Sequence, residues 1–385
     1  MKWPFQRALN QHLLSKLTVP IVIRIPLGLK SSLMILGVIG LVTMMGRANA
    51  VILDDLYVAE VLTDSQSDLQ RRRDAAAGLR QVLIRVSGDL KADERPEVAA
   101  ALRSPERYYT EFSYRRGDVS GAEDAEELQQ LMQIRFEPSL IAELLRDAEL
   151  PVWGSNRPSV LFWIAKESGG QREVVGEASL GAFAQSIRQQ AQVRGVPTYF
   201  PLWDLEDAGT VTPSEIWGRF LDDIEAASER YSPDKILVAR VEQRYAGQWH
   251  VDWSFGGNGD WRVGSLLSES QSEAAIALVN EIAARLSAQY AASSSKNAIS
   301  LKVEGISSIS ALANVERYLN RLSSVLNVQL RAVKGDLVTF ELSTEGDLQQ
   351  LVDLMALDRD LLLLNQDLRS GTLWYRWSGK ASVRN

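Results

Sequence analysis

The chain is predicted to fold as several α+β and α/β domains in series, on three observations that agree across its 385 residues. Hydrophobic spacing switches repeatedly between the two-residue period of strands and the 3.6-residue period of helices. Two breaks of composition, at residues 151–158 (PVWGSNRP) and 291–297 (AASSSKN), divide the switching segments. After the second break the elements follow in the order β-α-β-β-α-β, that of a split βαβ or ferredoxin-like unit. The expected layout is a signal segment over 1–50, a small α+β domain over 51–150, an α/β sandwich over 151–292 and a ferredoxin-like domain over 298–385.

The first fifty residues are expected to direct export. Lys2, Arg7, Lys16, Arg24 and Lys30 form a basic lead without an acid, and residues 33–45 then run apolar into Gly46-Arg47-Ala48-Asn49-Ala50. A positive region, a short apolar core and small residues before a cut after Ala50 are the layout of a secretory signal, with the periplasm as destination. The alternative is an inner-membrane anchor through an uncleaved 33–45. That segment is shorter than the roughly 20 apolar residues a spanning helix needs.

Residues 56–63 alternate like a strand, and 65–86 carries Ala75, Leu79, Val82, Leu83 and Val86 at helical spacing, with Gly88 as the stop. A short helix over 96–102 precedes strands over 108–115 and 128–136, joined by a Gly/Asp/Glu-rich connection over 116–127. Pro138 opens a helix with Leu140, Ile141, Leu144 and Leu145 on one side. After the break at 151–158 come strand 159–165, helix 180–194, a short extended piece over 196–200 and a helical stretch from Pro213 through Trp217 to Tyr231. Strand 235–241, a hairpin of strands 248–255 and 261–265 around Gly256-Gly257-Asn258-Gly259-Asp260, and a long helix over 268–291 complete this part. The last part reads as strand 298–303, helix 309–322, strands 325–333 and 337–342, helix 345–354 and strand 361–364. Residues 373–377 (LWYRW) are expected to add an edge strand.

Composition excludes most familiar chemistries. With no cysteine there is no thiol nucleophile, thiolate metal site or lipid-modified N-terminal cysteine. Residues 1–50 hold six of the 42 basic residues and none of the 49 acidic ones, so the remainder is at net −13. That field argues against nucleic acid and anionic lipid as partners. Beyond residue 50 the sole histidine is His250. It alternates with Trp249 and Val251 and is expected to face solvent if those two face the core. A multi-histidine zinc site and a Ser-His-Asp arrangement are thereby disfavoured. No phosphate loop or dinucleotide fingerprint is present. No cofactor is expected and no metal site is assigned, with carboxylate-bound calcium or magnesium left open.

Paired carboxylates are what remains for catalysis, since glycoside cleavage needs two acids at a suitable separation. Trp203-Asp204-Leu205-Glu206-Asp207 places an acidic cluster beside an indole. The competing reading is an acidic loop anchored by a buried tryptophan, and it is the weightier one. Seven of the ten tryptophans lie between Trp153 and Trp261. Trp163 is expected in the core, as are Trp249 and Trp253 on one strand face. Trp153, Trp203 and Trp217 lie at loops or helix starts, where partner recognition is a candidate role. The candidate binding residues are therefore Trp153, Asn156, Arg157, Trp203, Asp204, Asp207 and Trp217, with no catalytic residue assigned.

Several blocks carry a family resemblance: Val82-Leu83-Ile84-Arg85-Val86-Ser87-Gly88, residues 108–116, PVWGSNRP at 151–158, PLWDLED at 201–207, and Trp217-Gly218 with Tyr231 and Ile236-Leu237-Val238. Together they resemble the proteobacterial exported family catalogued as domain of unknown function 2066, over 51 to about 290. The resemblance implies export and brings no activity. The opening unit is also similar to domains of flagellar and outer-membrane accessory proteins, and the middle unit to envelope assembly domains of the TolB N-terminal or curli-secretion kind. The expected function is a periplasmic, non-enzymatic interaction or assembly-accessory module whose partners are envelope proteins. The alternative is a carboxylate-dependent hydrolase of envelope glycan or peptide, which requires 201–207 and 151–158 to meet in one cleft.

Overall fold

The computed structural model describes residues 51–52, 56–117, 129–244, 247–292, 296–358, 360–367 and 369–378. The expected signal segment over 1–50, residues 53–55, most of the 116–127 connection and Ser293 to Ser295 lie outside the described residues. Helix and strand elements mix through three main sheets, which is the multi-domain α+β class expected. All of them fall within one unit running from Ala48 to Asn385.

The chain starts with β1 (Val51–Ile52) and β2 (Val58–Leu62), followed by helix α1 (Asp68–Ser87). The ends of α1 are written locally: the Ser67 side chain accepts from the Gln70 N–H, and Gly88 closes the helix at φ 74° while donating to the Ile84 carbonyl. Helix α2 (Pro96–Ala101), β3 (Tyr109–Gly117), β4 (Gln129–Phe136) and α3 (Pro138–Asp147) complete the first layer pair. The sheet order is β2-β4-β3, all antiparallel. Ala75, Leu79, Val82, Leu83 and Val86 of α1 pack on Ala59, Met132, Ile134 and Phe136 of the sheet. Each large apolar side chain buried this way contributes about 1.5–3 kcal/mol.

Strand β5 (Asn156–Arg157) pairs with β1 in a two-stranded sheet of its own, and the next main sheet begins with β6 (Val160–Ser168), β7 (Gln171–Val174), helix α4 (Ala182–Arg194) and β8 (Thr198–Tyr199). Three short helices follow, α5 (Leu205–Thr210), α6 (Pro213–Gly218) and α7 (Leu221–Ser228). Strands β9 (Lys235–Gln243), β10 (Trp249–Gly257) and β11 (Asp260–Ser268) and the long helix α8 (Gln271–Tyr290) complete it. The order is β11-β10-β9-β6-β7, with β8 also beside β6. Strand β6 is parallel to β8 and β9, and it is apolar on both faces because both are covered. Val160, Phe162 and Ile164 meet α4 and α8, whereas Leu161, Trp163 and Ala165 meet the α5–α7 side. The helical stretch from Pro213 to Tyr231 is not continuous, since Arg219 adopts φ 54° and turns the chain between α6 and α7. Trp163 and Trp253 are core residues as expected, Trp163 donating its Nε1–H to Ser228 Oγ at 2.9 Å. The Trp253 ring lies over Gly264, where a Cβ would approach it to 2.3 Å.

The third sheet comprises β12 (Lys296–Glu304), α9 (Ile309–Arg321), β13 (Val325–Lys334), β14 (Leu337–Glu345), α10 (Leu348–Leu357), β15 (Leu361–Asp367) and β16 (Thr372–Trp377). The expected β-α-β-β-α-β order is present, but the pairing differs at one end. The sheet order is β13-β14-β12-β16-β15. The last strand is thus no edge: it inserts between β12 and β15, parallel to β12. Burial explains the exchange. Leu373, Tyr375 and Trp377 of β16 are buried on the helix side, while β15 buries only Leu361. A strand that buries alternate residues takes the inner place.

Candidate functional site

The eight residues 151–158 are an interlocked clip and not a solvated linker. Val152 exchanges backbone hydrogen bonds with Ala292, and the Trp153 N–H donates to the Val86 carbonyl at 2.7 Å. Trp153 is fully buried beneath the Arg157 guanidinium, 3.8 Å from its ring centroid. Arg157 is itself inaccessible, and every donor on it reaches a main-chain oxygen. Nε donates to Gly154 O at 2.9 Å, Nη1 to Arg194 O at 3.0 Å and Gly195 O at 2.8 Å, and Nη2 to Arg85 O and Trp153 O, both at 2.8 Å. One side chain thereby joins the end of α1, the clip and the end of α4. Asn156 extends the tie by donating Nδ2–H to Asp358 Oδ2 at 2.9 Å and to the Leu354 carbonyl, beyond and within α10.

Two further guanidiniums share this junction. Arg85 donates Nη1–H to Val58 O at 2.8 Å and Nε–H to Val193 O at 3.2 Å, and Arg194 donates Nη2–H to Gly88 O at 2.7 Å. Burial pushes Arg157 well below the usual guanidinium range, with Arg85 adding repulsion, and it brings Arg194 down to about 10. The sequence did carry a signal for both partners. Arg85 lies three residues after Val82 and seven after Gly78, and Arg194 three after Ala191 and seven after Ile187, positions on the buried faces of their helices. A crevice of about 450 Å³ opens nearby, lined by Gly88, Asp89 and Glu149 from the first part, Ser287 and Ala291 at α8, and Gln350 of α10.

The acidic segment resolves into capping and ion pairing. Asp204 caps α5, its Oδ1 accepting from the N–H groups of Glu206 and Asp207 at 3.1 and 3.0 Å. Arg230 binds Asp204 through both Nη atoms at 2.9 and 3.1 Å and Asp207 Oδ1 at 2.9 Å. Asp207, buried, also accepts from the Tyr231 hydroxyl at 2.6 Å and the Trp203 N–H at 2.8 Å. Arg230 is the main reason that Asp204 is held down at about 2, aided by the backbone N–H groups it caps. Burial and Asp207 raise Tyr231. These carboxylates have their oxygens filled by protein donors, which suits them to fixing a turn and not to exchanging protons with a substrate. Trp203 packs with Leu161 and Trp163, and Trp153 with Val160 and Phe162, so the two segments lie on opposite faces of β6. The shared cleft that carboxylate hydrolysis would require is not formed.

Trp217 occupies a different setting. Its ring has Arg172 4.5 Å from the centroid and Arg240 at 5.8 Å, and Arg240 pairs with Asp252 at 2.7 Å. On this same face of β9 and β10 stands His250, which is buried and not solvent-facing as expected. Trp249, Val251 and Trp253 do face α8, but His250 is flanked by Glu242 across the ladder at 3.4 Å and Asp252 along its own strand at 3.5 Å. Shielding by neighbouring strands, which alternation cannot express, buries it. Helix coverage stops short of β10 and β11 here, leaving Val263 and Leu267 of β11 exposed at 66% and 62%. Leu202, Leu205 and Phe220, from the helical layer on this side, are also exposed. An apolar set rimmed by charge is the usual composition of a protein-binding surface. Among the described residues no group of acids and histidines is placed to hold a metal ion. No helix among them is long and apolar enough to cross a membrane.

Residues 50–154 match the family model described as Domain of unknown function (DUF8605). This corrects the resemblance to domain of unknown function 2066. The blocks behind that resemblance are pieces of general structural use, such as a helix end at 82–88, a capped turn at 201–207 and a core strand at 236–238, which recur wherever such elements are needed. No curated protein matches the chain. Among solved structures, the selenomethionine-substituted allophanate hydrolase of Kluyveromyces lactis overlaps 73% of this chain and 68% of its own at 8% identity, with a TM-score of 0.15. The matched family segment begins just before β1 and ends after the buried Trp153, three residues short of Arg157.

Proposed function

We propose that this chain is an exported, non-enzymatic interaction or assembly-accessory protein of the cell envelope, which binds a protein partner through the open face beside Trp217. The observation that carries the reading is that Val263 and Leu267 of β11 are exposed on the same face of the sheet where Trp217 stands between two guanidiniums, with Phe220 exposed in the helical layer of that face. Apolar side chains exposed together beside a stacked indole favour association with another protein. Support for a non-catalytic role comes from Asp204 and Asp207, whose oxygens are committed to Arg230, Tyr231 and backbone donors. Export rests on the basic and apolar pattern of residues 1–50, and a size loss matching cleavage after Ala50 on envelope fractionation tests it.

A photo-crosslinking residue at Val263 or Leu267, used in living cells, is expected to trap one discrete partner. The same probe at Leu180, equally exposed on the other side of the sheet, is expected to trap none. Phe220→Asp should abolish the Val263 adduct. Equal adducts from both faces would overturn the assignment. Loss of complementation by Asp204→Asn with the fold intact would overturn the non-catalytic reading.

A further inference from the structure

His250 is the one histidine beyond residue 50, and it stands on the open face of the sheet, directly across the ladder from the exposed Leu267. Its ring lies between two carboxylates. Nδ1 is 3.4 Å from Glu242 Oε1 on β9, and Nε2 is 3.5 Å from Asp252 Oδ1 along β10. Each carboxylate also holds a guanidinium: Arg244 Nε meets Glu242 Oε1 at 2.6 Å, and Arg240 meets Asp252 Oδ2 through Nε at 2.8 Å and Nη2 at 2.7 Å. Arg240 in turn lies 5.8 Å from the Trp217 ring centroid. Arg244, Glu242, His250, Asp252, Arg240 and Trp217 thus form one file from the end of β9 to the open face. The other neighbours leave the ring to these acids. Strand β11 sets Leu267 and Ser265 opposite His250 and Asp252, with Glu269 exposed past its end. Strand β6 brings Glu167, one position beyond the pairing of Lys166 with Val241, and Arg172 of β7 takes it at 3.6 Å. At the end of α6, Arg219 donates to Trp253 O and Ser254 Oγ.

A neutral imidazole carries one N–H and one bare nitrogen. Whichever nitrogen bears the hydrogen, the other turns a lone pair toward a carboxylate, and Nδ1 is buried without a hydrogen-bond partner. Imidazolium has a donor for each acid. Glu242 keeps its charge for it: burial pushes the carboxyl up, but Arg244 and then His250 outweigh burial and hold it below its ordinary range. Among the described residues these groups are not placed to hold a metal ion, so what the gap between the acids accepts is a proton. With His250 neutral the file carries two guanidiniums against two carboxylates and sums to zero. With a proton it alternates in sign from Arg244 to Arg240 without a break. Resting on the reading of the open face as the binding surface, we propose that proton uptake by His250 orders the charged file behind Trp217 and so tightens the hold of that face on its protein partner in acid. A surface ordered before encounter loses less freedom on binding, which is the source of the gain.

Two measurements test this, one without the partner and one with it. Imidazole is the side chain that ordinarily changes charge between about pH 8 and pH 5. Nuclear magnetic resonance of the full chain across that window should show the Trp217 indole N–H, assigned by Trp217→Phe, moving in step with the His250 ring, assigned by His250→Gln. In His250→Gln the indole signal should stand still. A Trp217 signal that ignores the His250 transition overturns the proposal, and so does one that moves equally in His250→Gln. On isolated envelopes buffered at each end of the window, the Val263 photo-adduct should form at least about fivefold more efficiently in acid, the low end of a usual coupling. His250→Gln should abolish that dependence. Glu242→Gln, which keeps the shape and removes one acid from the ring, should reduce it, so that a response lost through misfolding is told apart from one lost with the proton. Equal wild-type yields at both ends sink the proton control and leave the binding surface standing. No adduct at either end sinks the binding surface, and the effect on a partner with it.

Discussion

Replacing Arg157 with methionine keeps much of the volume under Trp153 and removes every donor. Five main-chain carbonyls, those of Arg85, Trp153, Gly154, Arg194 and Gly195, then lose a hydrogen bond from a charged group in a site closed to water. Each buried acceptor left bare costs about 1 kcal/mol or more, so the gross loss is about 5 kcal/mol. Relief works in the other direction, because methionine carries no buried charge and ends the repulsion with Arg85 and Arg194. The net expectation is a destabilisation of about 3–5 kcal/mol, the range seen when one member of a buried charged network is removed. Urea unfolding followed by tryptophan fluorescence and far-ultraviolet circular dichroism measures it. The midpoint should fall by about 1 M or more, given a slope near the top of the usual range for a chain of this size. Arg157→Lys should recover less than half of the loss, since one ammonium cannot span five carbonyls. A midpoint unchanged within about 0.3 M, at unchanged slope, would refute the hub role.

Asp204 has a folded-state pKa of about 2, below its ordinary value, so the stability it contributes is present above about 4 and is lost as pH falls toward 2. Fluorescence of Trp203 and its neighbours should change over that window, and Arg230→Met should move the change to higher pH. The opposite limb belongs to tyrosines: burial raises Tyr290 and Tyr375 and pushes Tyr199 up to about 12, so stability should fall as pH climbs above 10. Absorbance at about 295 nm should show their phenolates appearing with unfolding and not before it. Gly88→Ala places a Cβ 2.2 Å from Ser287 Cβ at a backbone φ of 74° and should destabilise by about 2–3 kcal/mol. Adding Ser287→Gly should recover the steric part and leave the backbone part, readable as a change in thermal midpoint.

The sequence alone determined the fold class and most of the elements, because those follow from local signals, whereas β7 and the short helix Leu205–Thr210 were not read from it. Period switching marks α1 and β6, Gly88 ends α1, and the glycine-rich turn 256–260 joins β10 to β11. It also excluded thiol chemistry and a multi-histidine site beyond residue 50, since the absence of cysteine and the single histidine there need no structure to be read. Asp204 as a capping acid came from the structure, since 203–207 reads as an acidic loop and the helix it starts is a short one. What only the tertiary structure decided depends on which distant groups meet. PVWGSNRP has the composition of a linker, and proline and glycine do break regular elements. Nothing local shows that Trp153 and Arg157 are buried, for the carbonyls that fill Arg157 come from residues as far away as Arg85 and Arg194. His250 is hidden by strands on either side, which alternation within one strand cannot reveal. The place of β16 inside the sheet follows from its three buried side chains competing with the one of β15, a comparison made only when both strands face the same helices. Periodicity sets what each segment is; long-range burial and hydrogen bonding set where it goes and which of its residues are left for a partner.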